Sequence, residues 1–176
     1  DGITFEAEGN TVFDDNSKRL DDLTFTNNRI TNIQGASEVL DFEASGDGLG
    51  TADISNNLFE SNADGGNTFT AIDITQIAES GAQETVTISS NTIRGANTNA
   101  IDIDELKNDN ENDVTLDVLG NTIEMRSGSA AIALEALEVT STDGSETNVD
   151  QNTLTAASGV TGATGIDIGV DNDAIV

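Results

Sequence analysis

The sequence predicts an all-β solenoid, in which short parallel strands wind into about five to six coils with a period near 30 residues. Three observations predict it. A strand-like word ending in Asn recurs: FTNNRI around Asn28, ISNNLF around Asn57, ISSNTI around Asn91, VLGNTI around Asn121 and VDQNTL around Asn152. Successive asparagines lie 29, 34, 30 and 31 residues apart, the kind of self-similarity that marks stacked repeats. A second word follows each Asn by 9 to 14 residues: VLDF from Val39, AIDI from Ala71, AIDI from Ala100, AIAL from Ala131 and GIDI from Gly165. Finally, no useful stretch has helical periodicity; the best, Ala130 to Val139, already belongs to the repeat register.

Taken in chain order, GITFEAE reads as a second-word strand with Ile3 and Phe5 inward. Residues 6–22 read as an irregular connection holding Lys18 and Arg19, two of the six basic residues. Regular coils run from 23 to 168, and the whole chain, 1–176, is one domain, read as a segment of something longer or a stacking subunit. Both words alternate apolar and polar residues with period two, so each is a strand with one buried face. Inward positions of the first word are Phe25, Ile54, Val86 with Ile88, Leu116 with Val118, and Val149. Those of the second are Leu40 with Phe42, Ile72 with Ile74, Ile101 with Ile103, Ile132 with Leu134, and Ile166 with Ile168. Each Asn falls three residues after the last inward residue, where the chain bends. Asn tolerates the left-handed backbone of a tight bend, and stacked Asn side chains hydrogen-bond as amide ladders. The absence of Pro suits uninterrupted ladders.

These repeats, over roughly Leu23 to Ile168, resemble the right-handed parallel β-helix of the pectate-lyase-like superfamily. The resemblance implies a fold; it leaves function open, because the superfamily spans lyases, hydrolases, viral tailspikes and surface adhesins.

Composition narrows the setting. With 33 acidic and 6 basic residues the net charge is −27, which disfavours nucleic acid and anionic membrane surfaces as partners. Such charge costs stability by self-repulsion unless salt screens it, so the expected setting is extracellular, on or around a salt-adapted microbe. No run is apolar enough to span a bilayer, and membrane insertion is not expected. Cysteine is absent, which excludes disulfides and Cys-ligated metals.

Candidate chemistry is sparse. An Asp recurs between the inward residues of the second word, at Asp41, Asp73, Asp102 and Asp167, with Ala133 in the gap. A column of carboxylates suggests low-affinity calcium or a glycosidase acid pair, against the plainer reading of a solvated acidic face. The segment from Asp109 to Asp113 starts like an EF-hand loop but has Val114 where Gly is required and Gly120 where Glu is required. No other cofactor is expected. Without His, Tyr or Trp, sugar-cleaving machinery is incomplete, although carbohydrate stays a candidate partner. Arg29, Arg94 and Arg126 are expected to pair with nearby carboxylates. Outward threonines at 24, 26, 85, 87 and 115 look scattered, with Asp53 and Ser55 between them, which argues against an ice-binding ladder.

The expectation is therefore a non-enzymatic structural protein: a cell-surface adhesin or filament element. Its partners are other coils, met by end-to-end contact through Ile3 and Phe5 on one end and Ile166 and Ile168 on the other, or by continuation into neighbouring repeats. The alternative is a fragment of a polysaccharide-degrading β-helix enzyme or a carbohydrate-binding module.

Overall fold

The computed structural model describes residues 3–7, 19–33, 38–44, 48–61, 68–74, 77–78, 84–104, 106–107, 114–127, 130–138 and 146–170. All the regular elements there are strands. A lead strand, β1 (Ile3–Ala7), precedes the first coil of β2 (Arg19–Thr26), β3 (Arg29–Ile33) and β4 (Glu38–Ala44). The second coil is β5 (Gly48–Ser55), β6 (Leu58–Ser61) and β7 (Thr70–Ile74), followed by the two-residue β8 (Ile77–Ala78). The third is β9 (Glu84–Ser89), β10 (Thr92–Ala96) and β11 (Ile101–Ile103), followed by β12 (Leu106–Lys107). The fourth is β13 (Val114–Leu119), β14 (Thr122–Met125) and β15 (Ala130–Glu138), and the fifth is β16 (Glu146–Asp150), β17 (Thr153–Ala156) and β18 (Thr164–Val170).

Equivalent strands pair in parallel, one coil on the next, and form three stacked columns. The first-word strands run β2–β5–β9–β13–β16, the second-word strands β1–β4–β7–β11–β15–β18, and the strands after each Asn β3–β6–β10–β14–β17. The molecule is thus a parallel β-solenoid of five coils plus one leading strand. Register follows the repeat: Phe25 lies opposite Ile54, Ile54 opposite Ile88 and Ile88 opposite Val118. Ile72, Ile101 and Ile132 line up in the same way.

The core fills the interior with these inward residues. Ile54, Val86, Ile88, Leu116, Val118, Ile72, Ile101, Ile103 and Ile132 are fully buried. Fully burying an aliphatic side chain is worth about 1.5–3 kcal/mol, so each coil is held by several such contributions. The third column was not foreseen as a sheet of its own. Its strands contribute Ile30, Phe59, Ile93, Ile123 and Leu154, in register from coil to coil. Phe59 stacks on Phe25, with ring centroids 6.4 Å apart and planes at 19°.

Two expectations need correcting. The connection read as 6–22 is shorter than expected, because β1 extends to Ala7 and β2 begins at Arg19. The left-handed residue at each bend is not the recurring Asn but the residue before it. Positive φ falls at Asn27 (59°), Asn56 (57°), Ser90 (55°), Gly120 (62°) and Gln151 (57°). The recurring Asn is thereby freed for hydrogen bonding. Bulges with left-handed residues also occur within the third column, at Asn32 and Gly95.

Candidate functional site

Three places in the fold carry the polar groups singled out in the sequence: the Asn column, the Asp column and the two ends of the solenoid. The five asparagines form a continuous hydrogen-bonded ladder. Asn57 shows the unit: its backbone N–H and its Nδ2 both donate to Oδ1 of Asn91, each at 3.0 Å. Its second Nδ2 hydrogen goes back to the carbonyl of Phe25 at 2.7 Å. Asn91 repeats this toward Asn121 and the Ile54 carbonyl, and Asn121 toward Asn152 and the Ile88 carbonyl. Asn28 donates to Asn57 in the same two ways, and Asn152 donates to the Val118 carbonyl. Asn57, Asn91 and Asn121 are buried, at 2%, 1% and 0% exposure, yet every amide hydrogen and oxygen in the repeat unit is used. The ladder has a direction, because each Asn donates to the Asn one coil later.

The Asp column stands on the second-word sheet. Asp41 is in register with Asp73, Asp73 with Asp102 and Asp102 with Ala133, which is in turn in register with Asp167. Adjacent rungs of a sheet are about 4.8 Å apart, so Asp73 has a carboxylate on each side. Partial burial, helped by the charges of Asp102, Asp104, Asp41 and Glu38, pushes its carboxyl up to about 7. Burial also raises Asp102, which is held down in part by a 2.8 Å hydrogen bond from Nδ2 of Asn99. Asn99 is fixed in turn by accepting the N–H of Ala130 at 3.0 Å. The other oxygen of Asp102, Oδ1, is buried without a partner, which makes it a natural acceptor for a protonated Asp73 on the neighbouring rung. The arrangement disfavours the all-ionised state. Among the described residues no three acidic side chains are grouped so as to hold a metal ion. The segment from Asp109 to Asp113 lies outside the described residues.

On the first-word sheet, Asp22, Thr24, Thr51, Asp53, Ser55, Thr85, Thr87 and Ser89 line a shallow groove of about 370 Å³ across β2, β5 and β9. Thr85 and Thr115 share a register line, while Asp53 stands between Thr24 and Thr87 and Ser55 between Thr26 and Ser89. Arg29 reaches Glu60 at 3.9 Å from a largely exposed position, a contact of small energetic value.

At the far end, Ile166 and Ile168 are 41% and 51% exposed, the only large apolar side chains so exposed among the described residues. Among the described residues, the strands of this coil, β16, β17 and β18, each pair on one side only. At the near end, Ile3 and Phe5 sit in β1 in register with Leu40 and Phe42. Among the described residues, β2 and β3 likewise pair on one side only. Comparison with protein-family models, with curated proteins and with solved structures gives no match, so the site rests on its own geometry.

Proposed function

We propose that this chain is a non-enzymatic structural rod, a right-handed β-helix of the pectate-lyase-like kind, working at the surface of a salt-adapted microbe or in its extracellular material. The observation that carries this reading is the repeating stack itself, five coils in register and bound by one continuous amide ladder. The acidic surface fits the same setting: a net charge of −27 resists nonspecific collapse and tolerates brine. Light scattering and negative-stain microscopy of the purified chain, from low salt to about 1 M NaCl, test it. At ~1 M the Debye length is about 3 Å, and repulsion between rods is screened. Salt should produce elongated particles, Ile168→Asp should suppress them, and a chain that stays a compact monomer throughout refutes the reading. Parallel melts with millimolar Ca²⁺ test whether the acidic column recruits that ion.

A second reading, a fragment of a polysaccharide-degrading enzyme or a carbohydrate-binding module, is favoured by the in-register carboxyls of Asp73 and Asp102, both raised by burial, and by the hydroxyl-lined groove. Glycan hydrolysis that disappears in Asp73→Asn would establish it over the structural one.

A further inference from the structure

The charge of the solenoid is not spread evenly over its three columns. The first-word strands carry seven acids against one base, Arg19, and the second-word strands carry nine acids and no base. The third column carries two of each: Arg29 and Arg94, Glu60 and Glu124. The sequence around it agrees. The five segments from each ladder Asn to the next second-word strand, 28–37, 57–69, 91–100, 121–129 and 152–163, hold three acids and three bases. Their net charge is zero, so the whole −27 falls on the rest of the chain. Two copies that meet by either acidic column bring like charge against like. The third column alone lets them touch without that cost.

The outward positions of this column stand in rows along the rod. One row contains Thr92 beside Thr122; the next runs Glu60, Arg94, Glu124 and Thr155. Glu60 is engaged by Arg29 of its own chain at 3.9 Å. Arg94 and Glu124 are both exposed and occupy adjacent rungs. We propose that this face binds the same face of a second copy, the two rods antiparallel about a twofold axis that runs along the strands between the third and fourth coils. That operation sets Arg94 of each copy against Glu124 of the other and Thr92 against Thr122. Glu60, which already has Arg29, then lies over Thr155. A twofold one coil earlier sets Arg94 against Glu60 and leaves Glu124 without a cation, so the charges select the first. The acidic columns stay on the outside of the pair, where a third copy meets only like charge, and the pair does not grow. Four facing rungs at about 4.8 Å apiece cover about 19 Å of rod, a contact at the small end of protein interfaces, so pairing is weak and concentration-dependent. Salt strengthens it, because screening removes more repulsion between two chains of −27 than attraction in two Arg–Glu contacts. The inference goes beyond the structural-rod reading and needs only the fold.

Sedimentation equilibrium of the whole chain, at about millimolar concentration in ~1 M NaCl, should show a monomer–dimer equilibrium. Arg94→Glu sets Glu against Glu, and Glu124→Arg sets Arg against Arg; each alone should weaken dimerisation about ten-fold or more. Mixed in equal amounts, the two variants should pair as well as the parent, since opposite charges return at both contacts, and that recovery shows both to be folded. A mixture that does not recover, or dimers indifferent to either substitution, overturns the pairing. Growth into longer particles that Arg94→Glu leaves untouched also overturns it, while supporting the rod reading. A dimer that never lengthens upholds the pairing and counts against end-to-end stacking. Retention on insoluble cellulose of a chain that stays monomeric gives the face to a neutral glycan and overturns the pairing. A chain monomeric in every salt overturns both.

Discussion

The middle coils and the last coil are written in nearly the same words and end in different physical states. In the third coil, Ile88, Ile93, Ile101 and Ile103 are fully buried and Asn91 is 1% exposed. In the fifth, Val149 and Leu154 are half-buried, Ile166 and Ile168 are exposed, and Thr147 stands in register with the buried Leu116 with its hydroxyl unpartnered. The GIDI of the fifth coil and the AIDI of the third share the same inward pair. What separates them is a neighbour on both sides rather than on one. In a solenoid, burial belongs to a position in the stack, as nearest-neighbour models of repeat proteins require.

The largest break in that comparison comes from a buried charge. Ile103→Asp should unfold at least its own coil, because an unpaired buried carboxylate costs several kcal/mol against a domain stability of ~5–15 kcal/mol. Ile168→Asp, at the open end, should leave the melting temperature within a few degrees of the parent. Chemical denaturation of the two variants side by side checks this, and equal losses would show that the last coil is as enclosed as the third.

The ladder gives the next largest contrast. Asn121→Ala removes the partner of Asn91 and strands the buried Ile88 carbonyl. With about 1–3 kcal/mol for each buried group left unsatisfied, a loss of roughly 2–5 kcal/mol is expected. Asn152→Ala should cost less than half as much, since water reaches that partly buried end. Urea titration of both variants measures the ratio.

Two glycines sharpen the comparison further. Gly95 and Gly159 are both left-handed, with φ of 87° and 89°. A Cβ at Gly95 would stand 2.6 Å from the Ser61 carbonyl oxygen, whereas at Gly159 it meets nothing within 4 Å. Gly159→Ala should therefore cost only the backbone term, about 1–2 kcal/mol, and Gly95→Ala clearly more. Thermal melts that rank them the other way would refute the packing around the third-column bulge.

The last contrast is a slope with pH. Asp73 has a folded-state carboxyl at about 7, above its ordinary value of 3.8, so between those values the folded state holds a proton that the unfolded state releases. Its contribution to stability is present at low pH and lost as pH rises through about 7. The parent should therefore lose stability from pH 5 to 8 relative to Asp73→Asn, and parallel slopes for the two proteins would place Asp73 in ordinary solvent.

Much of this was legible because the stack repeats one constraint five times. Inward residues at every second position, and an Asn three residues after Phe25, Ile54, Ile88, Val118 and Val149, determine strand, register and ladder together. The third column was not legible: its strands are four or five residues long, and the second inward position changes type from coil to coil, Ser61 beside Phe59, Ala96 beside Ile93 and Met125 beside Ile123, so no apolar word recurs. Nor was the left-handed position, which five coils fill with Asn, Asn, Ser, Gly and Gln, so no one residue type marks it. The raised acid at Asp73 depends on what surrounds a rung, and its sister Asp102 sits in the same AIDI word. Residue identity alone therefore does not separate the two.

The spacing of the ladder has one more consequence. Its steps span 29, 34, 30 and 31 residues, yet each makes the same pair of amide bonds to the next Asn. Extra residues never lengthen a step. The molecule therefore measures distance by counting asparagines: its reach grows by about 4.8 Å for each one added, however much chain is spent between them. A gene that encodes such a coil can vary its loops freely and still keep a ruler of fixed graduation.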